Sequence, residues 1–141
     1  MEDFEKYMSE LIQEKKLDSG LIDFSLGMKY FEDSEEMYLE MMEIFCKMFD
    51  NRYAVISKCF EEHNWNLYVV NIHGLKSNAL NIGGKQLFEQ CLMLEKAGKQ
   101  VRESGSTEGV EYLLKNHPIV MELYRDTIEE AEAYLTRRKK T

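Results

Sequence analysis

Proline occurs once in the 141 residues, at Pro118, and the eight glycines gather at a few joints. So sparse a supply of chain breakers suits long helices joined by few loops. Cysteine is scarce and odd in number: Cys46, Cys59 and Cys91 are widely spaced, with no CxxC pair and no zinc spacing. They read as reduced core thiols of a cytoplasmic protein. Basic residues are outnumbered, 18 against 26 acidic, for a net charge of -8. A nucleic-acid partner needs a basic face, and an anionic membrane surface would repel such a chain. No apolar run approaches the roughly 20 residues of a membrane-spanning helix, so no membrane insertion is expected. The first residues, Met1-Glu-Asp-Phe-Glu5, are acidic and lack the apolar stretch of a secretory leader.

What is present is an ordinary globular share of apolar residues, 44%, in a chain of one-domain length. The apolar positions recur at threes and fours, which predicts helices throughout. One helix is expected over residues 2–16 and a short one over 23–31. A long one, capped by Asp33 or Ser34, is expected to run to about Glu62, with a bend near Asp50-Asn51. Asn64 is expected to cap a helix to Ile82, which Gly83-Gly84 ends. The next is expected over 85–103, and Ser104–Gly109 reads as the clearest loop. The last should run from Thr107 to about Arg137, with Pro118 kinking or breaking it. No strand is convincing. The fold class is therefore all-α, an antiparallel four-helix bundle with an additional N-terminal helix. Residues 1–20 read as that extension, 21–137 as the bundle and 138–141 as a basic tail.

The most informative stretch is Asn71-Ile-His-Gly-Leu-Lys-Ser-Asn-Ala-Leu-Asn-Ile-Gly83. At about 100° per residue, Ile72, Leu75, Ala79 and Ile82 share one side and supply a core stripe. His73 then points nearly opposite, toward solvent. Lys76 is expected one turn along the same exposed face, flanked by the small Ser77. A free histidine titrates near 6.5, so at neutral pH the imidazole is mostly unprotonated and nucleophilic. An exposed imidazole with a cation one turn away can accept and hold a phosphoryl group. Gly83 would let the chain turn close to the site, and Gln86 would reach it from the following turn. Val69 and Leu80 are expected beside His73 as a small apolar docking patch.

This segment resembles the histidine-containing phosphotransfer (HPt) domain of multistep two-component signalling. That family's pattern is a histidine, then leucine, lysine, a small residue and glycine at two, three, four and ten residues on. His73, Leu75, Lys76, Ser77 and Gly83 stand at that spacing. Ser77 departs mildly, because many members carry glycine there. Asp33–Tyr38, Phe45, Asn64-Trp65, Leu94–Lys99, His117-Pro118 and Tyr124 are similar to family features too, so the likeness covers roughly residues 20–136. It implies a cytoplasmic, monomeric phosphorelay intermediate that takes a phosphoryl group on Nε2 of His73 from a receiver-domain aspartate and passes it on. The partners implied are response-regulator receivers and a hybrid sensor histidine kinase, with Mg2+ supplied by the receiver and no cofactor on this chain.

Other chemistry finds little support. Gly83-Gly-Lys85 lacks the spacing of a nucleotide-binding loop, so autophosphorylation from ATP is not expected and the chain reads as a carrier, not an enzyme. No Glu-x-x-His pair exists for a di-iron bundle, and no metal site is expected. His63 at a helix end and His117 before Pro118 lack the lysine spacing and read as structural. The alternative to the carrier is an HPt-like adaptor that docks receivers without being phosphorylated. An intact His73 and Lys76 favour the carrier.

Overall fold

The computed structural model describes residues 20–139, together with Lys6. The described residues are all helical in their regular structure, without a strand. Within the described residues 20–139, six helices follow one another: α1 (Phe24–Lys29), α2 (Glu35–Lys47), α3 (Phe49–Glu61), α4 (Trp65–Ile82), α5 (Lys85–Ser104) and α6 (Thr107–Lys139). The helix expected over residues 2–16 lies outside the described residues, Lys6 apart, as does the end of the expected basic tail, 140–141. Arg138 and Lys139 belong to α6.

The starts follow local side-chain chemistry. Asp23, Ser34 and Asn64 each accept the backbone N–H three residues on, satisfying a donor that a helix start leaves orphaned. Of the two caps expected for α2, Ser34 does the work; Asp33 has a left-handed φ of 63° in the preceding turn. The bend expected near Asp50-Asn51 lies earlier, at Met48, where α2 passes into α3 without proline or glycine. The expected loop at 104–109 shrinks to Gly105-Ser106. Ser106 accepts from Gly109 N–H at 3.0 Å and draws Gly109 into the helix. Pro118 neither breaks nor ends α6. It sits on the exposed side, where water can solvate the Leu114 carbonyl that loses its partner.

The turn between α4 and α5 fixes the register on which the site depends. Gly83 adopts φ 83°; its N–H bonds the Leu80 carbonyl and that of Gly84 the Ala79 carbonyl, a Schellman closure. Gly83 O also accepts from Asp23 N at 2.8 Å. A Cβ at Gly83 would lie 2.1 Å from Asp23 O, so only glycine fits. Tyr38 Oη donates to the Ile82 carbonyl at 2.7 Å, satisfying another group at this helix end.

α4 lies at the centre. It packs along α5 and against α1, α2 and α3, while α6 closes over α5 and α2. The expected stripe of Ile72, Leu75, Ala79 and Ile82 is fully buried. It meets Met42 and Phe45 from α2, Ile56 from α3, Cys91 and Leu94 from α5, and Tyr124 from α6 in one core. Each such aliphatic side chain contributes about 1.5–3 kcal/mol on burial. The three cysteines are free thiols, Cys59 and Cys91 buried and Cys46 half-buried. Burial, helped by Glu132 and Glu43, pushes the Cys46 thiol up to about 11. No helix among the described residues is long and apolar enough to cross a membrane.

Candidate functional site

α4 and α5 form a hairpin about the Gly83-Gly84 turn, so residues equally far from the turn come level. His73, ten residues before Gly83, thereby meets Glu95 on α5. The imidazole side chain remains 54% exposed, whereas the Glu95 side chain is 5% exposed. Nδ1 of His73 lies 2.7 Å from Glu95 Oε2. Glu95 Oε1 receives Lys76 Nζ at 2.9 Å, and Oε2 also receives Lys99 Nζ at 3.4 Å.

This arrangement sets the state of the ring. Burial pushes the Glu95 carboxyl up, but hydrogen bonds from Lys76 and His73, with their charges, outweigh it and hold it below its ordinary value. Glu95 is thus a carboxylate at neutral pH and only accepts hydrogen bonds. The proton of the neutral imidazole therefore sits on Nδ1, donated to Glu95. Nε2 keeps its lone pair on the exposed side, as a nucleophile. Around it, two lysines against one carboxylate leave one net positive charge, which favours an arriving anion.

The site residues expected from sequence divide. His73 is exposed, and Ser77, one turn on, is half-buried on the open side. Lys76 is not on the exposed face; its side chain is 5% exposed and tied to Glu95. Val69 and Leu80 are buried too, at 4% and 1%, and form no docking patch. The reason is rotational. At about 100° per residue, Leu80, Val69 and Lys76 lie about 20°, 40° and 60° to one side of His73, under α5. Ser77 and Val70 lie about 40° and 60° to the other side, in the open. His73 stands at the edge of the solvent-facing arc, not at its centre. A helix covered by two neighbours has a narrower free face than one lying on a single core.

Gln86 is exposed in the first turn of α5 and belongs to the far end of the hairpin. It lies nine residues from Glu95, about 13 Å along the helix, so the structure does not bring it to His73. Gly83 likewise serves the turn and its contact with Asp23, ten residues from the histidine. Sequence reasoning missed Glu95 and Lys99 as site residues. The signal was there: Glu95 falls about 40° from Cys91 on the apolar side of α5, an unusual place for a carboxylate without partners.

An arginine contact borders the site. Arg52 from α3 reaches over Gly74, where an added Cβ would lie 3.2 Å from its Nη2, and donates to Asn78 Oδ1. The other histidines sit elsewhere. His63 adopts φ 53° after α3 and stacks on Trp65. His117 is buried against Phe60, its Nδ1 2.9 Å from Tyr68 Oη. Among the described residues no group of three or more His, Cys, Asp or Glu side chains is placed to hold a metal ion. No family model matches the chain, and neither a curated protein nor a solved structure matches it significantly.

Proposed function

We propose that this protein is a phosphohistidine carrier of the HPt type, an antiparallel four-helix bundle built from α2 with α3, α4, α5 and α6. The observation that carries the reading is the His73–Glu95 contact: a carboxylate on Nδ1 leaves Nε2 exposed and nucleophilic beside two lysines. Nε2 attacks the phosphorus of a receiver's aspartyl phosphate. The N–P bond forms as the P–O bond breaks, and the electron pair leaves on the aspartate carboxylate. A second receiver aspartate reverses the step. In-line transfer of this kind is mostly positioning and charge stabilisation. Lys99, half-exposed, is free to turn toward the phosphoryl oxygens; Lys76, buried, fixes the carboxylate.

The receiver supplies the aspartate and its Mg2+, and a hybrid sensor histidine kinase stands upstream. Docking uses Val70 and Leu67, exposed at 62% and 51% within two turns of His73, in place of Val69 and Leu80. The carrier acts in the cytoplasm as a monomer and has no autokinase activity.

The test is transfer from a panel of phosphorylated receiver domains with Mg2+. An acid-labile label on this chain, lost in His73→Gln, is the expected outcome. Specific receiver binding without label would favour the adaptor reading instead.

A further inference from the structure

His73 is paired with a charged carboxylate, where a neutral acceptor would orient the ring equally well. Both a carboxylate and an amide oxygen accept a hydrogen bond from Nδ1–H and select the same tautomer. The difference appears only after Nε2 has been phosphorylated. The attack uses the Nε2 lone pair and leaves the Nδ1 proton in place, so the immediate product is a phosphoimidazolium, cationic in its ring. That ring has two fates. It can discharge, with the N–P bond breaking and its electron pair returning to Nε2, so that the leaving group is neutral imidazole. Or it can lose the Nδ1 proton to water, after which discharge would have to expel an imidazolate, a far poorer leaving group.

We propose that Glu95 is a positioning residue that holds the Nδ1 proton on phosphorylated His73, keeping the carried phosphoryl group in its transferable, ring-protonated form. The inference rests on the carrier reading above. Glu95 is suited to the task because its charge cannot drift from the ring. It is buried, and Lys76 clamps its other oxygen at 2.9 Å from within the α4–α5 seam. A buried carboxylate 2.7 Å from the ring acts through little water, so its charge is felt strongly. The other groups near the pair are Lys99 and the Cys91 thiol from α5, and Arg52 from α3, which lies over the adjacent Gly74. The Cys91 thiol is held neutral by burial first and then by Glu95. The lysines and Arg52 oppose the carboxylate, so Glu95 is the sole negative charge acting on the ring among these groups.

The test needs no receiver. The full chain, labelled with nitrogen-15 histidine, is phosphorylated with phosphoramidate and followed by phosphorus and nitrogen NMR across pH. Glu95→Gln keeps the hydrogen-bond acceptor and removes the charge. It is expected to move ring-proton release, and with it the upper limb of the pH profile of phosphoryl loss, down by about one unit or more. Lys99→Met, at a half-exposed position outside the core, is expected to move both the opposite way by a smaller amount. Since that variant leaves the buried pair intact, it keeps the test decisive if Glu95→Gln fails to fold. Unchanged profiles in labelled Glu95→Gln, or in Lys99→Met if Glu95→Gln does not fold, would overturn the proton-holding role while leaving the carrier in place. No label on His73 in the wild-type chain would overturn the carrier and this inference together.

Discussion

His73 and His117 are built from the same parts and differ in two of them. Each uses Nδ1 to bind a side chain on a neighbouring helix, Glu95 at 2.7 Å and Tyr68 at 2.9 Å. Around His73 the partner is a carboxylate, and the ring side chain is 54% exposed. Around His117 the partner is a neutral phenol, and the ring is buried against Phe60 with centroids 3.8 Å apart. Burial pushes the His117 ring down to about 4, so it stays neutral and inert. A hydrogen bond to Nδ1 therefore does not make a reactive histidine. Access to the second nitrogen, and charge beside it, make the difference.

The largest contrast is expected when each ring is replaced in turn. His73→Gln should abolish phosphoryl labelling completely while leaving stability within about 0.5 kcal/mol, because the side chain is exposed. His117→Ala should leave labelling intact but cost about 2–4 kcal/mol in denaturant unfolding, through the cavity and the orphaned Tyr68 hydroxyl. Next comes the carboxylate. Glu95→Ala takes the carboxylate from the buried Lys76 ammonium and should cost about 3–5 kcal/mol by the same measurement.

Acid separates the two sites further. His117 binds its proton near 6.5 when unfolded but only near 4 when folded. The unfolded chain therefore holds more protons between these values. Stability from this group is complete above about 6.5 and falls as pH drops toward 4, by about 3 kcal/mol in all. His117→Phe should flatten this part of the profile. The lowered Glu95 carboxyl acts at still lower pH, its contribution disappearing below the ordinary carboxylate range. The smallest effect is expected at the surface. Val70→Asp should weaken receiver binding and leave unfolding unchanged within about 0.5 kcal/mol, as seen by titration and melting side by side.

Much of the fold was legible because it depends on local chemistry. Asn64 and Gly83 bound α4 where their capping preferences place them, and the stripe from Ile72 to Ile82 is fully buried. The site was legible in part. His73 showed itself through its position off that stripe, but the rest depends on which neighbour covers which flank. Lys76, Val69 and Leu80 were expected in the open, since one stripe defines one buried side. α5 covers a second side, and nothing within α4 announces it. Glu95 and Lys99 become partners of His73 only through the hairpin register that Gly83 sets. The break that was one of the two outcomes expected at Pro118 does not occur, for a related reason: its exposed position, fixed by packing, lets α6 run on.

The most direct test of the account is the site of the N–P bond. The chain with nitrogen-15 histidine is phosphorylated by a receiver, and the phosphorus–nitrogen coupling is read. A bond to Nε2 of His73, with Nδ1 still protonated against Glu95, is the expected result. A bond to Nδ1, or phosphate on any residue other than His73, would mean that Glu95 does not set the reactive nitrogen and that the account is wrong.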